Sequence, residues 1–144
     1  MKDLICRYEQ YLGEAEKARQ KAGICDGLFG MGNDPRKAPC HEAFYDFVGK
    51  WVKEFLCMAP TADDCAVAAE WLLKIADVHR GQNDIFGYLY AAQGHVLPLI
   101  TRMDRERARA LLDWYEKAYP RRDRMPVQDE VFRALKKASR MKLW

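Results

Sequence analysis

Apolar residues recur at intervals of three and four over nearly the whole chain, a spacing that is typical of amphipathic helices. One stretch, 23–41, breaks the pattern with four of the nine glycines and two of the six prolines. The residues that precede Pro35 and Pro39 are biased away from helical dihedrals, so we expect extended or turned backbone there. The sequence therefore predicts a long ordered loop at 23–40 between the first two helices.

The remaining segments predict about six helices. A threonine, Thr61, followed by two acidic residues marks the start of the third helix, because its side chain can cap the first turn. A basic connector at 120–126 precedes the last helix. The predicted helices cover about residues 3–22, 40–58, 62–79, 85–101, 104–119 and 127–141.

The fourth helix is apolar around most of its circumference, which predicts burial on more than one side. It also contains Pro98, which removes a helical hydrogen bond and predicts a kink near His95. The same hydrophobicity would also fit an interface between copies of the chain.

A faint similarity at an offset of 43 residues aligns the second and third helices with the fourth and fifth. Phe47 corresponds to Tyr90, and Trp71 corresponds to Trp114. A period of this size is typical of helical-hairpin arrays of the HEAT or armadillo kind. The predicted fold is a single all-α domain over residues 1–144, either a compact bundle or a short helical-hairpin array.

Composition limits where the protein is expected to act. No apolar run reaches the roughly 18 residues of a membrane span, and charges interrupt the N-terminal segment early. Five cysteines form an odd set without a disulfide spacing, which favours free thiols in a reducing compartment. We expect a cytoplasmic protein without a membrane segment.

Three residues of the loop are candidate metal ligands: Cys25, Cys40 and His41. Thiolate and imidazole together suit zinc, although the spacing matches no standard zinc finger, and no other cofactor is expected. Cys40 at a helix start, with His95 as a base, is an alternative nucleophile pair. The loop glycines lack the preceding strand and the Gly-Lys-Ser/Thr that a phosphate-binding loop requires.

The fourth helix supplies a candidate ligand pocket beside the predicted kink. Tyr88, Gln93 and His95 combine a phenol, an amide and an imidazole, the kind of polar groups that fix a ligand between helices. The simpler interpretation is that His95 is a hydrogen-bonded core residue.

Charge is distributed unevenly. Residues 1–100 carry 11 Lys and Arg against 14 Asp and Glu, whereas residues 101–144 carry 13 against 7. A basic segment of this kind is typical of proteins that contact nucleic acids or other anions, but it also occurs on solvated helix faces. The candidate contacts are Arg105, Arg109, Arg121, Arg122, Arg124, Lys136, Lys137 and Arg140.

The absence of a catalytic motif favours a small non-enzymatic interaction or adaptor domain whose partner is another protein. A helical protein that binds a small molecule or a metal through the 23–41 loop and the kinked helix, with or without enzymatic activity, is the second hypothesis. Non-specific nucleic-acid binding through the basic C-terminal third is the third.

Overall fold

A computed structural model of the chain describes residues 1–29, 34–79 and 87–140, with side chains throughout these ranges except at 22–29. These residues form helices and turns without a strand, which confirms the all-α prediction and the compact bundle. The α-helices are α1 (Lys2–Phe29), α2 (Pro39–Cys57), α3 (Ala62–Val78), α4 (Tyr88–Ala91), α5 (Leu97–Ile100), α6 (Arg105–Ala118) and α7 (Pro126–Arg140).

Short polar caps set the starts of α3 and α6. The Thr61 hydroxyl accepts from the Asp64 amide at 3.0 Å, and the Asp64 carboxylate accepts from the Thr61 amide at 3.2 Å. Asp104 accepts from the Arg107 amide at 2.8 Å. Each cap satisfies amide groups that a helix leaves unpaired at its start, so both helices begin where the sequence predicts.

The first helix continues to Phe29, seven residues beyond the predicted end at Ala22. The prediction treated Gly23 as a stop, but glycine inside a helix costs only about 1 kcal/mol relative to alanine. Extending an existing helix adds one hydrogen bond for each residue that becomes ordered, which offsets such a penalty. The predicted loop is correspondingly shorter, and its residues 30–33 lie outside the described part of the chain.

The turn before α2 follows the two prolines. Asp34 and Ala38 have extended backbone, with ψ of 114° and 140°, and a 3-10 turn, Pro35–Lys37, lies between them. Asp34 caps this turn by accepting from the Arg36 amide at 3.0 Å. Pro39 then occupies the first turn of α2, where its missing N–H costs nothing.

The predicted fourth helix is irregular, and its residues 85 and 86 lie outside the described ranges. Between α4 and α5 the chain forms a 3-10 helix, Ala92–Val96, in place of a simple kink. Pro98 cannot donate to the Gly94 carbonyl, and that carbonyl accepts from the Leu97 amide instead. The proline therefore tightens the helix locally, because the donor is now only three residues away.

This irregular 88–100 segment lies among α2, α3 and α7, whereas α1 packs mainly on α2 and on the Pro35–Lys37 turn. Burial on several sides agrees with the all-round hydrophobicity of the segment. The longest described helices are too polar to cross a bilayer. The buried side chains that fill the core between these elements include Phe44, Val48, Leu73, Val96, Leu99, Ile100, Leu111, Tyr115, Val131 and Leu135.

Candidate functional site

His41, at the start of α2, is a buried residue whose two ring nitrogens are both engaged. Its Nε2–H donates to the Pro35 carbonyl oxygen at 2.9 Å, which leaves Nδ1 to accept from the Tyr11 hydroxyl at 2.8 Å. The side chain is 3% exposed. His41 thus ties α1 and the Pro35–Lys37 turn to α2, and neither nitrogen is open to a metal ion in this arrangement.

Cys40 precedes His41 and is also buried. Burial raises the pKa of the Cys40 thiol, and the nearby Glu14 carboxylate raises it further, while Arg7 acts in the opposite direction. A neutral thiol is a poor nucleophile and a poor metal ligand. The Cys25 side chain lies outside the described residues, and the side chains that are described include no group of three potential metal ligands.

His95 lies in the 3-10 helix and faces the middle of α2. Its ring is 4.5 Å from the Tyr45 ring, centroid to centroid, and Tyr45 in turn lies 5.7 Å from Tyr88. Nε2 of His95 is buried without a hydrogen-bond partner. Burial lowers the pKa of His95, with Lys53 adding to the effect, so the imidazole is held in its neutral form.

Gln93, the third residue of the predicted pocket, turns away from His95. It is 1% exposed, accepts from the Tyr115 hydroxyl at 2.6 Å and donates to the Tyr119 hydroxyl at 3.3 Å. The predicted trio is therefore divided: Tyr88 and His95 flank Tyr45, whereas Gln93 joins the 88–100 segment to α6. His41 lies at the start of α2, whereas the His95 ring packs against Gly49, eight residues further along the same helix, which is roughly 12 Å along its axis.

A second phenol–imidazole pair was not predicted from the sequence. The Tyr8 hydroxyl and His79 Nε2 are 2.7 Å apart and share a hydrogen bond between α1 and the end of α3. Burial lowers the pKa of His79, and the charges of Arg19 and His41 act in the same direction. The sequence signal was the position of Tyr8 on the apolar stripe of α1, where a phenol needs a partner for its hydroxyl.

The last two turns of α7 carry four cations at spacing i, i+3, i+4 and i+7. Arg133, Lys136, Lys137 and Arg140 together line a shallow depression of about 420 Å³. We call these four residues the cationic face. Arg133 pairs with Asp129, whereas the other three have no ion pair within the part of the chain that the structure describes. Arg133 was missing from the predicted contacts, although its spacing to Lys136 and Arg140 would have identified it.

The predicted anion contacts fall into two groups. The short connection makes α6 and α7 antiparallel neighbours, so Arg105 and Arg109 lie at the same end of this hairpin as the cationic face. Arg121 and Arg122 lie at the opposite end, in the 3-10 turn Arg121–Asp123.

Arg124 is not an exposed contact. Its side chain is only 7% exposed and lies over the Phe132 ring at 3.8 Å, with Nε 4.0 Å from the Asp129 carboxylate. The guanidinium stacks on the aromatic face, which explains why a charged side chain can be covered there.

No protein-family model, no curated protein and no solved structure matches this chain.

Proposed function

We propose that this chain is a non-enzymatic binding module that holds the phosphate backbone of a nucleic acid on its cationic face. One observation carries the proposal: a depression lined only by Arg133, Lys136, Lys137 and Arg140, three of which have no carboxylate partner among the described residues. Arg105 and Arg109, exposed at the same end of the hairpin, extend the positive surface. Such clusters attract polyanions by releasing the counterions that the anion carries.

The chemistry of the lining favours phosphates over an acidic protein. Protein interfaces usually have an apolar centre from which lysine is depleted, whereas the residues that line this depression are all lysine or arginine. On the same helix, the Phe132 ring lies 3.8 Å from the Arg124 guanidinium and 5.8 Å from the Lys136 ammonium, so it is not free to stack on a base. We therefore expect binding that does not depend on base sequence.

The non-enzymatic part of the proposal is supported by the separation of the reactive groups. His41 is hydrogen-bonded at both nitrogens, the Cys40 thiol has a raised pKa, and Gln93 is enclosed by tyrosines. None of the cavities found along residues 1–29, 34–79 and 87–140 is lined by two of these groups. A cytoplasmic location, favoured by the free thiols of Cys6, Cys40, Cys57 and Cys65, belongs to the same proposal.

The test is fluorescence anisotropy with a short labelled DNA strand, its duplex and the matching RNA, measured over a series of KCl concentrations. We expect similar affinities for unrelated sequences. The logarithm of the affinity should fall with the logarithm of the salt concentration with a slope of magnitude about 3 or more, as roughly four neutralised phosphates require.

Two variants of equal charge make the test specific. Lys136→Gln, Lys137→Gln and Arg140→Gln together should lower the magnitude of the slope by about 2 to 3, because three cations of the face are removed. The triple variant of Lys2, Lys50 and Lys53 to Gln removes the same charge from exposed positions elsewhere and should retain the slope. Equal loss in both variants, no binding at low salt, or equally tight binding of polyglutamate would each overturn the proposal.

A further inference from the structure

An open cleft of about 730 Å³ lies between the middle of α1 and residues 34–43. We call it the α1 cleft. Its apolar lining includes Ala18, Ala38 and Ala43, together with two prolines and the Cys40 thiol. The volume is within the range of about 300–1,000 Å³ in which proteins hold small organic ligands.

Among the charged residues that line the α1 cleft, the carboxylates have ion-pair partners among the described residues and the lysines do not. Glu14 is 3.6 Å from the Arg7 guanidinium, and Asp34 is 2.9 Å from that of Arg36, so each carboxylate has its own counter-ion. The hydrogen bond from Arg36 lowers the pKa of Asp34 to about 2, which keeps this carboxylate ionised and directed at Arg36.

Three lysines complete the charged lining: Lys17 and Lys21 on α1, and Lys37 on the facing turn. None of them forms an ion pair within the described part of the chain, although the Lys37 charge contributes to the lowered pKa of Asp34. The cleft therefore combines apolar walls with a net positive rim, and it is separate from the cationic face of α7.

The wall formed by residues 34–41 is held in place before any ligand arrives. His41 bonds to the Pro35 carbonyl, and the Lys37 amide donates to the Asp34 carbonyl at 2.9 Å. Pro35 and Pro39 fix two further backbone torsions. A wall of this kind loses little conformational entropy on binding, which favours affinity for a small molecule.

We propose that the α1 cleft is a binding site for a small organic anion with an apolar body, such as a medium-chain carboxylate, sulfonate or phosphate ester. The apolar part of the ligand lies against the alanines and prolines, and its acidic group lies at the rim among Lys17, Lys21 and Lys37. No covalent step is involved. The ligand class follows from charge complementarity, because only an anion balances three lysines whose neighbouring carboxylates are already paired.

The experiment uses the full chain and anilinonaphthalene sulfonate as a fluorescent probe. Fluorescence should rise with a single saturating transition, and decanoate should displace the probe. Decanol, which has the same chain without the charge, should need at least about a tenfold higher concentration to displace the probe. Each lysine contact contributes up to about fivefold to the affinity for an anion. Equal displacement by decanol would overturn the electrostatic part of the proposal.

Variants locate the site. Lys17→Gln with Lys37→Gln should weaken decanoate about tenfold, and Lys50→Gln with Lys53→Gln should leave its affinity unchanged. Ala43→Trp places a large ring at an exposed residue of the cleft wall and should abolish displacement of the probe by decanoate. Unchanged affinity in the Ala43→Trp variant would place the probe elsewhere and overturn the site.

Cys40 provides a readout that does not depend on the probe. Saturating decanoate should slow the alkylation of Cys40 by iodoacetamide, followed peptide by peptide with mass spectrometry. The buried Cys65, which does not line the cleft, is the internal control, and its rate should change much less than that of Cys40. Equal slowing at Cys40 and Cys65 would indicate a general stabilisation of the fold and would contradict a ligand in the cleft.

Discussion

The imidazole of His95 lies directly against the backbone of Gly49 on α2. A Cβ atom added at Gly49 would come within 2.7 Å of His95 Cε1 and 3.0 Å of Nε2, which is closer than nonbonded atoms approach. A glycine in the interior of a core helix is thus explained by the ring that packs on it.

In a double-mutant cycle at these two residues, the effect of Gly49→Ala on the free energy of unfolding should change sign when His95 is replaced. Gly49→Ala alone should lower the free energy of unfolding by about 1–2 kcal/mol, because the clash outweighs the gain in helix propensity. In a His95→Ala background the same substitution should be stabilising by up to about 1 kcal/mol. Urea denaturation measures all four proteins, and equal effects in both backgrounds would contradict the contact.

Stability should fall as the pH is lowered from 7 toward 5. His79 and His95 have pKa values lowered by burial, so the unfolded chain binds their protons at a higher pH than the folded chain does. The free energy of unfolding is therefore at its full value above about pH 6.5. Below that pH, each histidine lowers it by up to about 1.4 kcal/mol for every unit by which its pKa in the folded chain lies below its pKa in the unfolded chain.

Replacing His79 and His95 by Asn should flatten this pH dependence. Denaturation curves between pH 5 and 7 separate the histidines from Asp34 and Asp129, because these two carboxylates, whose pKa values are lowered by arginine partners, change stability only below about pH 5. An unchanged slope in the double variant would assign the effect to other groups.

Tyr115→Phe should be more costly than Tyr119→Phe. The Tyr115 hydroxyl donates to Gln93 Oε1 at 2.6 Å, and its loss leaves a buried acceptor unpaired, which costs about 1–3 kcal/mol. The bond between Gln93 and Tyr119 is longer, 3.3 Å, and we expect a smaller loss. Thermal or urea unfolding of the two variants gives the order, and the reverse order would contradict the geometry.

Thiol reactivity should divide the described cysteines into two pairs. Cys6 and Cys57 are exposed and should alkylate quickly in the native protein, whereas Cys40 and Cys65 are buried, with pKa values raised chiefly by that burial. The buried pair should react only as the fold opens. Fast native alkylation of Cys65 would show that α3 is more accessible than the structure indicates.

Much of the helical architecture could be predicted from the sequence. The ends of α2, α3, α6 and α7 were placed within a residue or two, because their apolar stripes are wide and residues such as Thr61 and Asp104 cap them. The end of α1 could not be placed, since a glycine lowers helix stability without forbidding a helix.

The candidate pocket was less predictable because side-chain direction depends on local winding. Gln93 follows Tyr88 by five residues, which is about 140° around a regular helix, so the two already diverge. The 3-10 turn at 92–96 changes the winding again, and no propensity predicts a turn that depends on Pro98 and on packing against α2 and α7. The contact between His95 and Gly49 has no local sequence signal.

The 43-residue similarity stays a prediction, although the helix boundaries agree with it. Thr61 and Asp104 are 43 residues apart, and each caps the helix that follows. The helices that precede these caps differ, however, since α2 is continuous and the 88–100 segment contains a 3-10 turn.

The enclosure of the 88–100 segment among α2, α3 and α7 has a consequence for biosynthesis. On the ribosome, α2 and α3 emerge before this segment, and α7 emerges after it. Until α7 has been translated, the nascent chain exposes part of the apolar surface of Leu99 and Ile100, which are fully buried in the finished protein. Completion of the fold therefore waits for α7, and ribosome-associated chaperones would meet this surface during that interval.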